Sequence, residues 1–358
     1  MRRPLVLAAV LFTLVPSLGA APNPRPGVAA RPTARPAPRP RRVLVISVDG
    51  LRPDLLLRSD TPNMHRLFES GCYTFWARTV PQGITLPSHT SMLTGVTPRR
   101  HGIEWNRDLP LFRPVYPSYP TLFELAHNAR FTTAIATGKS KFATIIKPKM
   151  LSWQSIPPPP ADTVVGFEED EQEPADEAGP TTGPTTRPTT APTTQPKIAD
   201  ADVAREAARI IREHRPHVMF VHFPGVDTVG HDKGWGTPEQ VAAIGKADEA
   251  LGVLLAALRG ANVAGETAII LTADHGGAGK THGPDDARSL HIPWIVSGPG
   301  IRKGVDLTTY PKLQVNTEDT CATACGLLGI RVKDLDGKFI REILEPPAEL
   351  LRDVGAGK

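Results

Sequence analysis

Cysteine is scarce in this chain of 358 residues, which limits the ways in which its fold can be stabilised. The three cysteines are too few, and odd in number, for a framework of disulfide bonds. Cys321 and Cys325 are four residues apart, the spacing of one helix face, which favours small core residues over a metal-binding pair. The cysteines therefore indicate neither a redox compartment nor a chemical role.

Long apolar runs are also missing. The apolar run near the amino terminus is too short to favour a membrane span. Arg2 and Arg3 precede this run and small residues follow it at 19–21, which is the pattern of a cleavable signal peptide over residues 1–21. A buried helix is the alternative interpretation. We expect an exported protein, periplasmic or extracellular, with no membrane span in the mature chain.

Charge of one sign does not dominate, because 41 Lys and Arg residues stand against 37 Asp and Glu residues. Several arginines crowd into residues 23–42, ahead of the expected fold, so the net charge of +4 indicates no specific nucleic-acid binding. Residues 22–41 are rich in Pro and Arg, as in an extended linker. A catalytic domain is predicted over 42–348, with a disordered Pro/Thr/acidic insertion at about 155–197 and a tail at 349–358.

Short apolar runs alternate with amphipathic stretches through this domain, which predicts an α/β fold with a mostly parallel central sheet and helices on both faces. The predicted strands are 43–48, 132–137, 218–223, 267–272 and 293–298. The predicted helices are 61–69, 87–94, 121–129, 199–213, 238–258 and 317–328, with Pro87 at the start of its helix.

Acidic and imidazole side chains follow three of these strands. Asp49 comes directly after the first strand, Asp274 and His275 follow strand 267–272, and Asp227 and His231 lie a few residues beyond strand 218–223. The carboxyl ends of parallel strands form one edge of a sheet, so these side chains should converge. Taken alone, an Asp after a strand is more typical of a helix cap or a turn than of a metal ligand, and a lone His is usually a satisfied polar residue. Together, however, the buried carboxylates need cations among them. Mixed Asp and His ligands suit zinc, and also manganese or iron.

Thr85 precedes Leu86 and Pro87 at the start of a predicted helix. The unpaired N–H groups and the positive dipole end of that helix would face the Thr85 hydroxyl and favour its ionisation near a metal. The alternative is an ordinary N-cap threonine, and local sequence does not separate the two.

Six motifs that occur in one order narrow the functional interpretation of the sequence. They are VDG at 48–50, TLPSHTSMLTG at 85–95, HGIEWN at 101–106, DTVGH at 227–231, ADHGG at 273–277 and THG at 281–283. Together they resemble the nucleotide pyrophosphatase/phosphodiesterase (type I phosphodiesterase) branch of the alkaline phosphatase superfamily. The resemblance covers residues 42–330 and implies an alkaline-phosphatase-like fold.

The resemblance also implies two divalent metal ions. One would be held by Asp49, Thr85, Asp274 and His275, and the other by Asp227, His231 and His282. It further implies that Thr85 is the nucleophile, that a phosphothreonine forms, and that Asn106 donates its amide to a phosphoryl oxygen. His291 is an alternative to His282 as the third ligand of the second metal ion, whereas His89 and His101 are expected to be structural.

The expected substrate is a small phosphate ester, either a phosphodiester or a nucleotide-like pyrophosphate. Only GAGKT separates Gly276 from His282, where relatives that cleave nucleotides have a longer segment, so phosphomonoester and phosphonate hydrolysis stay open. The C/S-x-P-x-R pattern of sulfatases is missing from TLPSHTS. Lys139 and Lys141 are expected either to bind substrate or to be ordinary lysines on a solvated surface. A noncatalytic ligand-binding module is the remaining alternative, and oligomeric state is not predicted.

Overall fold

The computed structural model describes residues 39–106, 115–158 and 198–345. The predicted signal peptide, most of the linker, residues 159–197 of the predicted insertion and the predicted tail lie outside these ranges. The boundaries proposed for those segments therefore stay predictions. The described residues form one eight-stranded sheet with helices packed on it.

The sheet is mixed and mostly parallel. Its order is β4-β3-β5-β1-β6-β7-β2-β8, and β7 runs antiparallel to both of its neighbours. The eight strands are β1 (Arg42–Val48), β2 (Cys72–Arg78), β3 (Thr133–Thr137), β4 (Trp153–Ser155), β5 (Val218–Phe223), β6 (Thr267–Thr272), β7 (His291–Ser297) and β8 (Val305–Asp306).

The three central strands position the site. β1 pairs in parallel with β5 on one side and with β6 on the other. All residues of β5 and β6 are buried, as are all of β1 after Arg42, because both faces of this part of the sheet are covered. The segments that follow these strands consequently emerge next to one another at one edge.

The five predicted strands are present, but three strands escaped prediction. β4 and β8 are too short to show a period, having three and two residues. β2 contains the aromatic sequence CYTFWAR and is interrupted by a register shift between Thr74 and Ala77, which breaks the alternation that identifies a strand. Residues 79–84 connect the end of β2 to Thr85, the first residue of the helix that follows.

The six predicted helices are present, and four further ones accompany them. The helix predicted to start at Pro87 begins two residues earlier, so Pro87 is its third residue. The ten helices of the described residues are α1 (Pro53–Arg58), α2 (Pro62–Glu69), α3 (Thr85–Thr94), α4 (Pro98–His101), α5 (Leu122–Asn128), α6 (Asp200–His214), α7 (Gly225–Lys233), α8 (Pro238–Gly260), α9 (Ala287–Leu290) and α10 (Asp319–Leu327).

The helices form two groups around the sheet. α1, α2, α6 and α7 pack on α8, whereas α3, α4, α5 and α10 pack among themselves. α3 is buried along its whole length, including its serine, threonine and histidine side chains. None of the helices in the described ranges combines the length and the apolar character needed to cross a membrane.

Candidate metal centre

The first group of potential ligands joins the ends of two adjacent strands. Asp49 follows β1, and Asp274 and His275 follow β6. The His275 Nε2 atom lies 3.3 Å from Asp49 Oδ1 and 3.2 Å from Asp274 Oδ2. All three side chains are fully buried. We call these residues, together with Thr85, the first centre.

The second group is built on a helix that sequence analysis did not predict. Asp227 and His231 lie four residues apart on α7, so both point from one face of the helix. His231 Nε2 is 3.3 Å from Asp227 Oδ1, and His282 Nε2 is 3.8 Å from the same oxygen. We call Asp227, His231 and His282 the second centre. In each centre the carboxylate and imidazole ligand atoms lie within 4.8 Å of one another.

The three imidazoles present the same nitrogen to the site. The Nδ1 atoms of His275, His231 and His282 lie 2.8 Å, 3.0 Å and 2.8 Å from the backbone carbonyls of Gly276, Lys280 and Gly83. A carbonyl only accepts, so each Nδ1 carries the proton and donates it. Each Nε2 in its neutral form then keeps a lone pair, which is how second partners orient metal-binding histidines.

Unpaired carboxylate oxygens provide the test of whether cations fit here. Asp49 Oδ1, Asp227 Oδ1 and Asp274 Oδ2 are buried and accept no hydrogen bond from the described residues. A buried carboxylate oxygen left in this way is unfavourable unless a cation compensates it. Because these oxygens face imidazole lone pairs, the ligand set fits divalent metal ions in both centres.

The pKa values of the site also indicate that its buried carboxylates need cations. Burial favours the neutral form of all three carboxyl groups, but Lys139 and neighbouring imidazoles hold the pKa values of Asp49 and Asp227 below their usual range. At Asp274, burial together with the charge of Asp49 outweighs the opposing charge of Lys139 and raises the pKa well above the usual value. Burial lowers the pKa of His282 to about 3, so this ring is neutral and ready to act as a ligand at neutral pH.

Thr85 lies at the first position of α3, beside the first centre. Ile84 occupies the N-cap position, so the N-cap interpretation of Thr85 is wrong. The Thr85 hydroxyl is 3.3 Å from His275 Nε2 and its side chain is almost fully buried. Pro87 has no N–H and the Leu86 N–H donates to Asn106, which leaves the Thr85 N–H as the donor without an acceptor among the described residues.

The side-chain carbonyl oxygen of Asn106 holds this residue at the start of α3, next to Thr85. Asn106 Oδ1 accepts hydrogen bonds from the Leu86 N–H at 3.0 Å and from Lys141 Nζ at 2.7 Å. The two bonds fix which end of the amide is the oxygen. The amide N–H₂ group is therefore the end that can donate to an incoming ligand, as sequence analysis predicts.

Lys139 makes contacts that the sequence did not indicate. Its ammonium group lies 2.7 Å from Asp49 Oδ2 and 2.7 Å from Asp227 Oδ2. Lys139 thus contacts one carboxylate of each centre through Oδ2, and Oδ1 of each carboxylate stays unpaired. The substrate contact expected for Lys139 stays a prediction.

Two further residues support the centres and escaped sequence analysis. His222, in β5, donates from Nε2 to Asp49 Oδ2 at 2.8 Å. Trp235 donates its indole N–H to the Gly50 carbonyl at 2.9 Å. Gly50 has a φ of +73° and lies so close to Asp227 that a Cβ would be 3.0 Å from the Asp227 Cα. The glycine of the VDG motif therefore lets the segments after β1 and β5 meet.

His89, His101 and His291 belong to neither group of potential ligands. His89 donates from Nδ1 to the Thr85 carbonyl at 2.8 Å and is linked to Ser47, so it supports α3 from inside the core. His101 is buried and bonded to Ser91. His291, the rival ligand, stacks on Trp76 with ring centres 4.1 Å apart and belongs to neither centre.

Asp200 stabilises the helix that carries Asp227 and His231. It lies at the start of α6, is 5% exposed, and accepts the Gly225 N–H of α7 at 2.8 Å. Burial, with a contribution from the charge of Asp49, raises the pKa of Asp200 to about 7. Because this value lies above that of the unfolded chain, the contribution of Asp200 to stability decreases as pH rises from about 4 to about 7.

We expect Asp200→Asn to match the wild type in stability at pH 8, or exceed it, because the amide keeps the acceptor and removes a buried charge. Asp200→Ala leaves the Gly225 N–H unpaired and should lower the free energy of unfolding by about 1–3 kcal/mol. Urea unfolding of chelator-treated protein at pH 8 measures both. Equal stability of the two variants would show that the hydrogen bond to α7 is not important.

The sequence pattern of the type I phosphodiesterase/nucleotide pyrophosphatase family matches residues 43–290, which contain every residue of both centres. The chain belongs to this family. The resemblance drawn from the six motifs is thereby confirmed.

Individual relatives agree with that membership. A pyrophosphatase/phosphodiesterase of Schizosaccharomyces pombe, itself uncharacterized, is 27% identical over 241 residues. The matched part is 65% of this chain and 44% of the yeast protein, so the chain spans less than half the length of that relative.

Solved structures confirm the alkaline-phosphatase-like fold expected for the family. Murine ectonucleotide pyrophosphatase/phosphodiesterase 5 is similar with a TM-score of 0.63 and 16% identity, covering 85% of this chain and all of the murine one. An inactive threonine-to-alanine form of that protein was solved in complex with AMP. The phosphonate monoester hydrolase of Agrobacterium radiobacter is similar with a TM-score of 0.58 and 16% identity, over 86% of this chain and 78% of the other.

Proposed function

We propose that this chain is a two-metal hydrolase of phosphate esters that acts through a phosphothreonine on Thr85. The observation that carries the proposal is the pairing of two Asp/His centres, each with unpaired carboxylate oxygens, beside a buried threonine hydroxyl at a helix start. Membership of the type I phosphodiesterase/nucleotide pyrophosphatase family supports the same chemistry.

The metal ions that fit the two centres are divalent. Asp49, Asp274 and His275 would hold one with the Thr85 oxygen, and Asp227, His231 and His282 the other. We propose zinc, because mixed carboxylate and imidazole ligands suit it, although manganese and iron accept the same ligands. When bound, the ions would supply Lewis acidity and offset the negative charge of the reacting phosphoryl group.

Thr85 is positioned to attack phosphorus. Its hydroxyl would lose a proton to solvent and its oxygen would form a bond to phosphorus while the bond from phosphorus to the leaving oxygen breaks. Water would then attack the same phosphorus and release phosphate from Thr85, or a phosphate monoester when the substrate is a diester. α3 holds this oxygen rigidly, because the whole helix is buried and His89 anchors the Thr85 carbonyl from the core. Positioning of this kind is a large part of catalysis in phosphoryl transfer.

Two donors are available for a nonbridging phosphoryl oxygen. They are the Thr85 N–H and the amide N–H₂ group of Asn106, whose oxygen is tied to Leu86 and Lys141. Because the amide is already oriented, little reorganisation is needed when charge develops on the phosphoryl group. Asn106 would therefore bind substrate in the way that sequence analysis predicts.

We propose phosphodiesters or nucleotide-like pyrophosphates as substrates, supported by the family membership and by the AMP complex of the murine structure. Phosphonate hydrolysis on the same site is the second candidate, because a phosphonate monoester hydrolase shares the fold. Export stays a prediction from residues 1–21, which lie outside the described ranges.

A panel of activated esters tests this proposal. We expect zinc-loaded protein to hydrolyse bis-p-nitrophenyl phosphate and the p-nitrophenyl ester of thymidine monophosphate with a kcat/KM at least about tenfold above that for p-nitrophenyl phosphate, a difference of about 1.4 kcal/mol. Preference for p-nitrophenyl phosphate or for p-nitrophenyl phenylphosphonate would replace the diester assignment by the corresponding alternative. Protein that binds no stoichiometric metal and hydrolyses none of these esters would be the noncatalytic module instead.

A further inference from the structure

The contacts of Lys139 assign it a role inside the site. Its ammonium group lies 2.7 Å from both Asp49 Oδ2 and Asp227 Oδ2, and these two carboxylates belong to different centres. The remaining oxygens, Asp49 Oδ1 and Asp227 Oδ1, are the unpaired ones that face the imidazole nitrogens. One oxygen of each carboxylate thus serves Lys139 and the other stays available to a cation.

Its place in the fold makes Lys139 well suited to join the centres. β3 lies next to β5 in the sheet, and Lys139 follows β3 by two residues at the edge where Asp49 and Asp227 emerge. The Lys139 N–H donates to the Thr137 hydroxyl, which fixes the backbone at the base of the side chain. Thr137 also bonds His222, which in turn bonds Asp49, so lysine and histidine hold Asp49 Oδ2 from two sides.

The charge balance explains why a cation is needed at this point. Asp49, Asp227 and Asp274 are buried together, and their mutual repulsion opposes folding unless positive charge lies among them. The Lys139 ammonium group supplies positive charge at 2.7 Å from a carboxylate oxygen of Asp49 and of Asp227. Arginine cannot be exchanged for lysine here without changing the geometry of the contact.

We propose that Lys139 is a positioning residue that clamps Asp49 to Asp227, sets the two centres relative to one another, and stabilises the fold before metal binds. The effect of Lys139 on metal binding rests on the proposed two-metal function, whereas its effect on the metal-free fold does not. The clamp competes electrostatically with the ions, so removing it should weaken the metal-free protein more than the loaded one. A residue that only contacts substrate would change neither form.

Thermal unfolding of the full chain tests the proposal, using chelator-treated protein with and without added zinc. We expect Lys139→Met to lower the Tm of the metal-free form by about 5–10 °C, which is the loss expected when one partner of a buried ion pair is removed. The increase in Tm on adding zinc should be larger than in the wild type. Lys139→Arg should restore part of the metal-free Tm because it keeps the charge.

Lys246→Met is the matched control, because Lys246 pairs with Glu249 on an exposed surface and should leave both Tm values unchanged. Equal losses of Tm in the metal-free and zinc-loaded Lys139→Met protein would show a merely structural lysine and overturn the proposal. Unchanged Tm values with a raised KM would instead show that Lys139 binds the substrate. A wild type that binds none of zinc, manganese and iron would refute the two-metal function but leave the metal-free comparison valid.

Discussion

Replacing Thr85 with alanine should reduce turnover by about 10⁴-fold or more, because the substitution removes the nucleophile and no other described hydroxyl takes its place beside His275. The folded structure should survive. Thr85 makes no capping hydrogen bond, and alanine is a good residue at the first turn of a helix. Steady-state hydrolysis of bis-p-nitrophenyl phosphate, with metal content measured on the same sample, provides the comparison.

Thr85→Ser is the matched control for this experiment. It keeps the hydroxyl and loses one methyl group, so it should keep measurable activity and should form the covalent phosphoryl intermediate, which alanine cannot form. Mass spectrometry after rapid acid quenching would detect a phosphorylated peptide containing residue 85 in the wild type. Near-normal activity of Thr85→Ala would show that another group attacks phosphorus.

Replacing His282 with alanine should remove the metal ion of the second centre while the first centre stays loaded. The Nε2 atom of His282 is directed at Asp227 by the bond from Nδ1 to the Gly83 carbonyl, and among the described residues only Asp227 and His231 share this group of ligands with it. We expect zinc content to fall from two ions to about one and kcat/KM to fall about 10³-fold, equivalent to about 4 kcal/mol of transition-state stabilisation.

His291→Ala is the control for His282, since His291 is the alternative ligand suggested by the sequence. His291 stacks on Trp76 away from both centres, so its removal should leave zinc content at two ions. Elemental analysis and calorimetric zinc titration of the two variants separate the assignments. Loss of one ion from His291→Ala rather than from His282→Ala would reverse them.

The sequence predicted the parts of the site that depend on strand ends. Asp49, Asp274 and His275 directly follow buried apolar runs, and the alternation of strands and helices places such positions at one edge of the sheet. The pairing of Asp227 with His231 was visible as a spacing, but its cause, the helix α7, was not predicted. The sequence GVDTVGHDK has two glycines and three β-branched residues, which individually disfavour a helix, and tertiary contacts stabilise it instead.

The contacts around the ligands depend on distances that local sequence does not contain. His222 is part of an apolar strand and resembles any core histidine until its bond to Asp49 is seen. Lys139 was equally compatible with a solvated surface, because the reach of its side chain toward Asp49 and Asp227 depends on which strands are neighbours. Trp235 packs against Gly230 and Gly277, where a side chain would have no room beside the indole ring, and only the fold brings these three residues together.

The ligands of the two centres come from distant points in the chain, from Asp49 after the first strand to His282 near the end of the matched region. A partly synthesised chain that has not yet reached His282 lacks one ligand of the second centre, and an unfolded chain holds neither set of ligands together. At the two proposed centres, selection of the metal ion would therefore take place where the chain folds. Because binding strength alone does not distinguish these metals as cells require, the metal available in that compartment at that moment would decide which ion the two proposed centres hold.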